Sequence, residues 1–391
     1  MNYFNENVLE EKAIKSAVNG QRIRRKKAGF SGWLALLFGV ILAACQNDPI
    51  KNPEPKPTEN PIRPTGPAPA YAPDIDPQML AVIEQLQGFN SPPIPQLSPV
   101  QARKLPTVKD AVESLLKKYH IQPKPAMVDI SQRVIPGPSP EGILVRIYTP
   151  KKGTGPFPVV VYYHGGGWVI AGPDVYEPSA KALSEKAEAI VVSVAYRQAP
   201  ENKFPAAHED AFAAYRWVRE NAAVINGNPA KVAVAGESAG GNLAAGVGIL
   251  ARERGVALPV HQVLVYPVAN NDLTTPSYNT YANAQPLNRP LIEWFVDKYF
   301  NTPADGDNRL ISLVDVADLK GLPSATIINA QIDPLTSEGQ QLADQLRAAG
   351  VPVAYQLYQG VTHEFFGAAA AVDKAGQAQD FAASQLRNAF K

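Results

Sequence analysis

The chain has 391 residues, enough for one large α/β domain or two smaller ones, either with a substantial core. Its formal net charge of +1 excludes the basic excess that a nucleic-acid-binding surface requires, so no nucleic-acid partner is expected. A single cysteine, Cys45, excludes an intramolecular disulfide, and many of the 37 prolines fall before residue 140, a shift that separates a tether from a folded domain.

The one basic cluster, Arg22, Arg24, Arg25, Lys26 and Lys27, stands in front of an apolar run from Trp33 to Ala44. That run is short for a bilayer span and suits the apolar core of a signal peptide. It ends in Leu42-Ala43-Ala44-Cys45, which resembles the lipobox of bacterial lipoproteins. The resemblance implies cleavage before Cys45 and acylation of its sulfur, with a lipid anchor in a bacterial membrane as the result. An ordinary signal peptide with an incidental cysteine is the alternative. Gln46, where an aspartate would imply retention at the inner membrane, favours the outer membrane of the cell envelope. Residues 1–44 are therefore read as a lipoprotein-type signal peptide. Residues 45–75 are read as a tether, because the proline-rich stretch 48–77 stays extended and cannot bury a core.

The folded domain is expected over 76–391. Two amphipathic segments, 78–86 and 108–119, open it, and strand and helix signals then alternate. Strands are expected at 143–148, 159–163, 190–194, 232–235, 263–266, 325–329 and 353–358, with helices at 206–221, 239–254, 337–349 and the C-terminus. Continuous β-branched runs between helices predict an α/β fold with a mostly parallel sheet covered on both faces. Residues 270–318 interrupt the alternation and read as an insertion above the sheet.

Gly236-Glu237-Ser238-Ala239-Gly240 lies between the strand 232–235 and the helix beginning at Ala239. In that context a GxSxG run is a sharp turn that presents a serine hydroxyl at the carboxyl edge of the sheet, with glycines two residues away on either side to avoid clashes. Ser238 is thus the expected nucleophile. A hydroxyl needs a base, and the order nucleophile, acid, histidine leaves His261 and His363. His261 leaves little room for an acid before it, so His363, in a loop after the strand 353–358, is taken as the base. Asp333, just past the strand 325–329, is placed to orient the imidazole. Asp315 and Asp318 read as solvated or capping residues. Glu338 reads as a first-turn helix charge, with a part in positioning the acid loop as the alternative.

His164-Gly165-Gly166-Gly167-Trp168 follows the strand 159–163 directly. Glycines bring bare N–H groups against a carbonyl oxygen, so Gly165, Gly166 and Gly167 with the N–H of Ala239 form the expected oxyanion hole, Gly166 and Gly167 foremost. His164 reads as structural.

These motifs, with Tyr196-Arg197-Gln198-Ala199-Pro200-Glu201, Phe204-Pro205-Ala206-Ala207 and Asp333-Pro334-Leu335, resemble the hormone-sensitive-lipase family (bacterial family IV) of carboxylesterases, over residues 76 to the C-terminus. The resemblance implies an α/β-hydrolase fold with a helical cap from about 76–125 and 270–318. It also implies hydrolysis of short- to medium-chain acyl esters through an acyl-enzyme. A small-molecule ester substrate is expected, with no metal and no cofactor, and a homodimer is left open. The chain departs from the family in Gln198 for leucine, Ser337 for aspartate, and Glu364 for the glycine that commonly follows the histidine. Glu364 is expected to raise the basicity of His363 or to alter the acyl pocket. Arg197, Glu201 and Asp210 read as one buried structural network. An amidase on the same triad and an inactive binding protein on the same fold are the alternatives. Matched ester and anilide substrates separate the first, and labelling by a fluorophosphonate separates the second.

Overall fold

The strand signals resolve into one sheet of eight: β1 (Val128–Ile135), β2 (Ile143–Pro150), β3 (Phe157–Tyr163), β4 (Ile190–Ala195), β5 (Gly227–Glu237), β6 (Gln262–Val265), β7 (Ala325–Ile332) and β8 (Val353–Thr362). Their spatial order is β1-β2-β4-β3-β5-β6-β7-β8. β1–β2 and β2–β4 are antiparallel and every other pair is parallel. The computed structural model describes residues 60–391. The signal peptide expected at 1–44, Cys45, and the tether up to residue 59 lie outside the described residues.

Ten helices accompany the strands among the described residues. α1 (Pro77–Gln87), α2 (Pro99–Ala102) and α3 (Val108–Lys118) precede the sheet, and α4 (Glu177–Ala187), α5 (Ala206–Asn221) and α6 (Ala239–Glu253) follow β3, β4 and β5. α7 (Pro276–Thr280) and α8 (Arg289–Tyr299) lie in the insertion, and α9 (Thr336–Ala348) and α10 (Asp373–Ala389) complete the chain.

The period-two pattern of a strand buried on both faces divides the core. Val159, Val161 and Tyr163 of β3 join one apolar layer with Phe212 of α5, Leu243 of α6 and Leu346 of α9. Val160 and Tyr162 join the other, with Leu183 of α4 and Ala382 of α10. α1 and α3 also belong to this second layer, through Met79, Ile83 and Leu115.

In the sheet and the helices that directly cover it, two elements lack a strong sequence signal. β1 is exposed along its middle six residues, so it lacks the apolar run that marks the buried strands. α4 carries its apolar side as Ala180, Leu183 and Ala187 among charged residues, a weak helical signal. One boundary also moves. The end of the stretch read as a tether, residues 60–75, is folded onto the domain: Ile62, Ala72 and Ile75 are buried, and the Asn60 amide donates to the Ala371 carbonyl at 3.1 Å. Proline excess does not prevent docking where a few apolar side chains find a groove.

Register lines up the carboxyl ends of the strands. Tyr163 pairs with Gly236, Glu237 with Val265, and Ile332 with Thr362. The residues that come next, His164, Ser238, Tyr266, Asp333 and His363, therefore emerge along one edge, where open α/β sheets place their sites.

Candidate active site

β5 runs directly into Ser238, and α6 leaves it at Ala239. Ser238 sits at φ 57°, ψ −121°, a conformation that persists only when the surroundings over-determine it. Its N–H donates to the Val265 carbonyl at 2.9 Å, and its own carbonyl accepts from Asn242 at 3.1 Å and Val268 at 3.2 Å. The flanking glycines are required by contact. A Cβ on Gly236 would stand 2.0 Å from the Gly240 oxygen, and one on Gly240 would stand 2.0 Å from the Tyr163 oxygen.

Asp333 and His363 leave adjacent strands and meet: His363 Nδ1 lies 2.7 Å from Asp333 Oδ2. Both are buried. The second Asp333 oxygen accepts the Leu335 N–H at 2.9 Å, so the carboxylate is fixed on both sides. Burial alone would lower the imidazole pKa; the Asp333 carboxylate outweighs it, aided by Glu364 and Glu237, and the net shift is upward from 6.5. With Nδ1 committed to Asp333, Nε2 is the nitrogen left to exchange a proton. The Tyr266 ring, at the end of β6 between Ser238 and Asp333 in strand order, packs 4.4 Å from the imidazole.

His164 and His261 are each held in contacts of their own. His164 donates from Nδ1 to the Gly165 carbonyl at 2.8 Å and stacks on Tyr196 at 4.2 Å, and burial lowers it to about 4. It is a neutral brace of its own loop. His261, just before β6 and so at the opposite edge of the sheet, is held by the Ser324 and Thr326 hydroxyls at 2.7 and 2.8 Å.

The glycine loop after β3 turns sharply, with Gly166 at φ 97° and Gly167 at φ 58°. A Cβ on Gly167 would lie 2.2 Å from the Phe295 ring, and one on Gly166 would lie 2.3 Å from the Ile170 oxygen. Among the described residues the N–H groups of Gly166 and Gly167 donate to no protein acceptor. Gly167 and Ser238 border the same cavity, of about 230 Å³. Its walls are mostly apolar: Val268, Leu287, Ile292, Phe295, Phe300 and Leu335. Three of these, Leu287, Ile292 and Phe295, come from α8 and the turn before it, inside the insertion.

Each departure from the resembled family has a partner. Gln198 donates to the Ile170 and Ala171 carbonyls at 2.8 and 3.0 Å, bracing the far end of the glycine loop. Ser337 exchanges hydrogen bonds with Ser277 of α7, whose hydroxyl also donates to the Pro334 carbonyl at 2.5 Å. The insertion is thereby fastened to the acid loop. Glu364 accepts the Tyr176 hydroxyl.

Two readings need correction. Glu338 does lie in the first turn of α9 but is no ordinary first-turn charge: it is fully buried, accepts the Ala269 N–H at 2.8 Å, and is pushed well up by burial. Its carboxyl ties the start of the insertion to the acid loop, which agrees with the positioning alternative. The Arg197–Glu201–Asp210 network splits in two. Arg197 pairs with buried Asp210 at 2.8 Å, whereas Glu201 turns outward to Arg103. Arg103 also donates to the carbonyls of Val169 and Ala199 at 2.8 and 2.7 Å. It follows α2, far off in sequence and outside every motif, so nothing in the pattern announced it. Glu237 occupies the variable position of the elbow, where nothing in the pattern marks it. Its buried carboxyl accepts from the Tyr162 and Tyr266 hydroxyls, and burial pushes it up to about 7.

The sequence pattern of the alpha/beta hydrolase fold matches residues 160–367, from β3 through the loop of His363. The chain is 42% identical over 251 residues to carboxylesterase NlhH of Mycobacterium tuberculosis, covering 63% of this chain and 79% of that protein. It is 34% identical over 237 residues to ethyl acetate hydrolase of Pseudomonas putida, covering 60% and 74%. The crystal structure of a thermostable esterase from Pseudomonas putida superposes with a TM-score of 0.74 at 29% identity, covering 82% of this chain and 99% of that one. In sequence and in fold, the chain belongs to the alpha/beta hydrolase family.

Proposed function

We propose that this carboxylic ester hydrolase works through Ser238, His363 and Asp333, with the N–H groups of Gly166, Gly167 and Ala239 as its oxyanion hole. The observation that carries the reading is the Asp333–His363 pair at 2.7 Å, on strand ends that share one edge with the strained elbow of Ser238. Ser238 Oγ bonds to the ester carbonyl carbon while its proton passes to His363 Nε2. The carbonyl oxygen becomes an anion held by the three N–H groups, with Gly165 keeping the loop free of side chains. Collapse breaks the carbon–oxygen bond to the alcohol, which leaves with the proton from Nε2. Water then repeats the sequence on the acyl-enzyme and releases the acid and the free serine.

The cavity beside Ser238 supports short- to medium-chain acyl esters, because its volume of about 230 Å³ lies below the range usual for drug-sized ligands and its walls are mostly hydrocarbon. Residues 76–125 and 270–318 form the cap in this reading, supported by α8 lining the cavity and packing against the turn Ile94–Gln96. Ser238→Ala tests the mechanism. It should abolish hydrolysis of p-nitrophenyl butyrate and reaction with a fluorophosphonate, and wild-type turnover in that variant refutes it.

The location is part of the same proposal: a bacterial envelope protein carried on the outer membrane by acylated Cys45. The apolar run ending in Leu42-Ala43-Ala44-Cys45, followed by Gln46, supports it. Cys45→Ala should move the protein from the membrane to the soluble fraction, and an unchanged distribution refutes the anchor. A homodimer is supported by the open edge at β1, where Ile130 and Val134 are exposed. Light scattering of the anchor-free domain decides it.

A further inference from the structure

Glu364 follows His363 and occupies the left-handed region at φ 68°, ψ 5°. Glycine takes that conformation without strain, whereas a glutamate there is held at a cost by its surroundings. The holding contact is specific. The carboxyl of Glu364 accepts the hydroxyl of Tyr176, from the loop before α4. That hydroxyl stands 2.3 Å from where a Gly165 side chain would begin, so it fills the space left by the first glycine of the oxyanion loop. The other wall of that space is the Glu237 carbonyl, 3.1 Å from the same point. Gly165 is therefore wedged between the residue that precedes the nucleophile and a tyrosine fixed by the residue that follows the histidine.

We propose, on the reading of the site given above, that Glu364 is a positioning residue: through Tyr176 it locks the histidine loop to the oxyanion loop and sets a carboxyl charge beside His363. The lock joins two loops that otherwise come from strands four places apart in the sheet, β3 and β8. The groups that feel Glu364 from the surrounding elements are Tyr162 of β3, Tyr176, Tyr196 after β4, Tyr266 after β6, Asp333 after β7 and His363 itself, with Glu237 of β5 acting on the same histidine. The tyrosines are kept neutral by burial, so the groups that can carry negative charge near His363 are Asp333, Glu364 and Glu237; burial pushes the last two upward, and the imidazole and the Tyr176 hydroxyl pull Glu364 back down. A carboxylate beside an imidazole favours its protonated form.

Three variants of the full chain test this: Glu364→Gly, Glu364→Gln and Tyr176→Phe. Each is assayed for kcat and KM on p-nitrophenyl butyrate across pH, with thermal melts and fluorophosphonate labelling of the wild type alongside. Glu364→Gly suits the left-handed backbone and should fold, yet lose about 10-fold or more in kcat with KM little changed, because the oxyanion donors drift relative to the histidine. Tyr176→Phe should show the same split. Glu364→Gln keeps an acceptor for the Tyr176 hydroxyl and should restore most of kcat. Its acid limb should move to lower pH by about half a unit or more, since one of the carboxylates that raise His363 beside Asp333 is gone. Wild-type kcat and KM in both Glu364→Gly and Tyr176→Phe overturns the lock, and an unmoved acid limb in Glu364→Gln overturns the charge effect. A wild-type protein that fails to label would instead refute the serine mechanism itself.

Discussion

Gly240 offers the sharpest test of how the elbow works. Replacing it by alanine places a Cβ 2.0 Å from the Tyr163 carbonyl oxygen and 2.5 Å from that of His164. Ordinary contact begins near 3.4 Å, so β3 and α6 must separate by about 1.4 Å at this point. Neither partner is the tip of a flexible side chain: one is the end of a central strand and the other the first turn of a buried helix. The displacement falls between Ser238 and the glycine loop, the two parts that must hold opposite ends of the same carbonyl group. A misplacement of this size costs on the order of 100-fold in rate, equivalent to about 2.7 kcal/mol of barrier. Overpacking should also lower stability by about 1–3 kcal/mol, visible as a drop of a few degrees in Tm. The assay is kcat and KM on p-nitrophenyl butyrate with a melt on the same sample. Gly376→Ala is the control: this glycine lies within α10 with nothing within 4 Å of its Cβ position, so alanine should stabilise by about 0.5–1 kcal/mol and leave kcat alone. Wild-type kcat in Gly240→Ala would show that the glycines of the elbow are not there for clearance.

The same geometry fixes four further outcomes. The rate should rise with pH through a limb above 6.5, because His363 must be neutral to accept a proton and its pKa is raised. Asp333→Asn removes the charge that raises it, so the limb should fall toward lower pH and kcat drop by about 10⁴; a limb unmoved by that change refutes the pairing. Phe295→Ala opens the cavity wall beside Gly167 and should raise the rate on octanoate relative to butyrate esters by about 10-fold, measured as a ratio of kcat/KM; an unchanged ratio means the acyl chain lies elsewhere. Arg103→Ala leaves Glu201 and two carbonyls without their donor and should cost about 1–2 kcal/mol in a denaturant melt, with Arg103→Lys restoring only part because lysine lacks the two-pronged geometry.

By itself the sequence determined the parts of this protein that depend on chain neighbours. The buried strands β3 to β7 each contain a short buried run dominated by apolar residues, legible because both faces are covered. Half of the elbow's demand for glycine is local, because a Cβ on Gly236 meets Gly240 four residues on; the other half is tertiary, because one on Gly240 meets Tyr163 at the end of β3. Tertiary structure alone decided what depends on residues far apart. β1 pairs only along one side and is exposed along its middle, so it has no pattern to read. Residues 60–75 look like a tether until Ile62 and Ile75 find their groove. Glu338 sits in the first turn of a helix, where a charge is expected, and only the packing of the insertion buries it and pushes its pKa up. Arg103 meets Glu201 across 98 residues, and Tyr176 meets Glu364 across 188. Local sequence specifies backbone conformation through sterics that act within a turn. Which polar groups end up buried together, and so which are shifted or held, is set only when the strands take their places in the sheet.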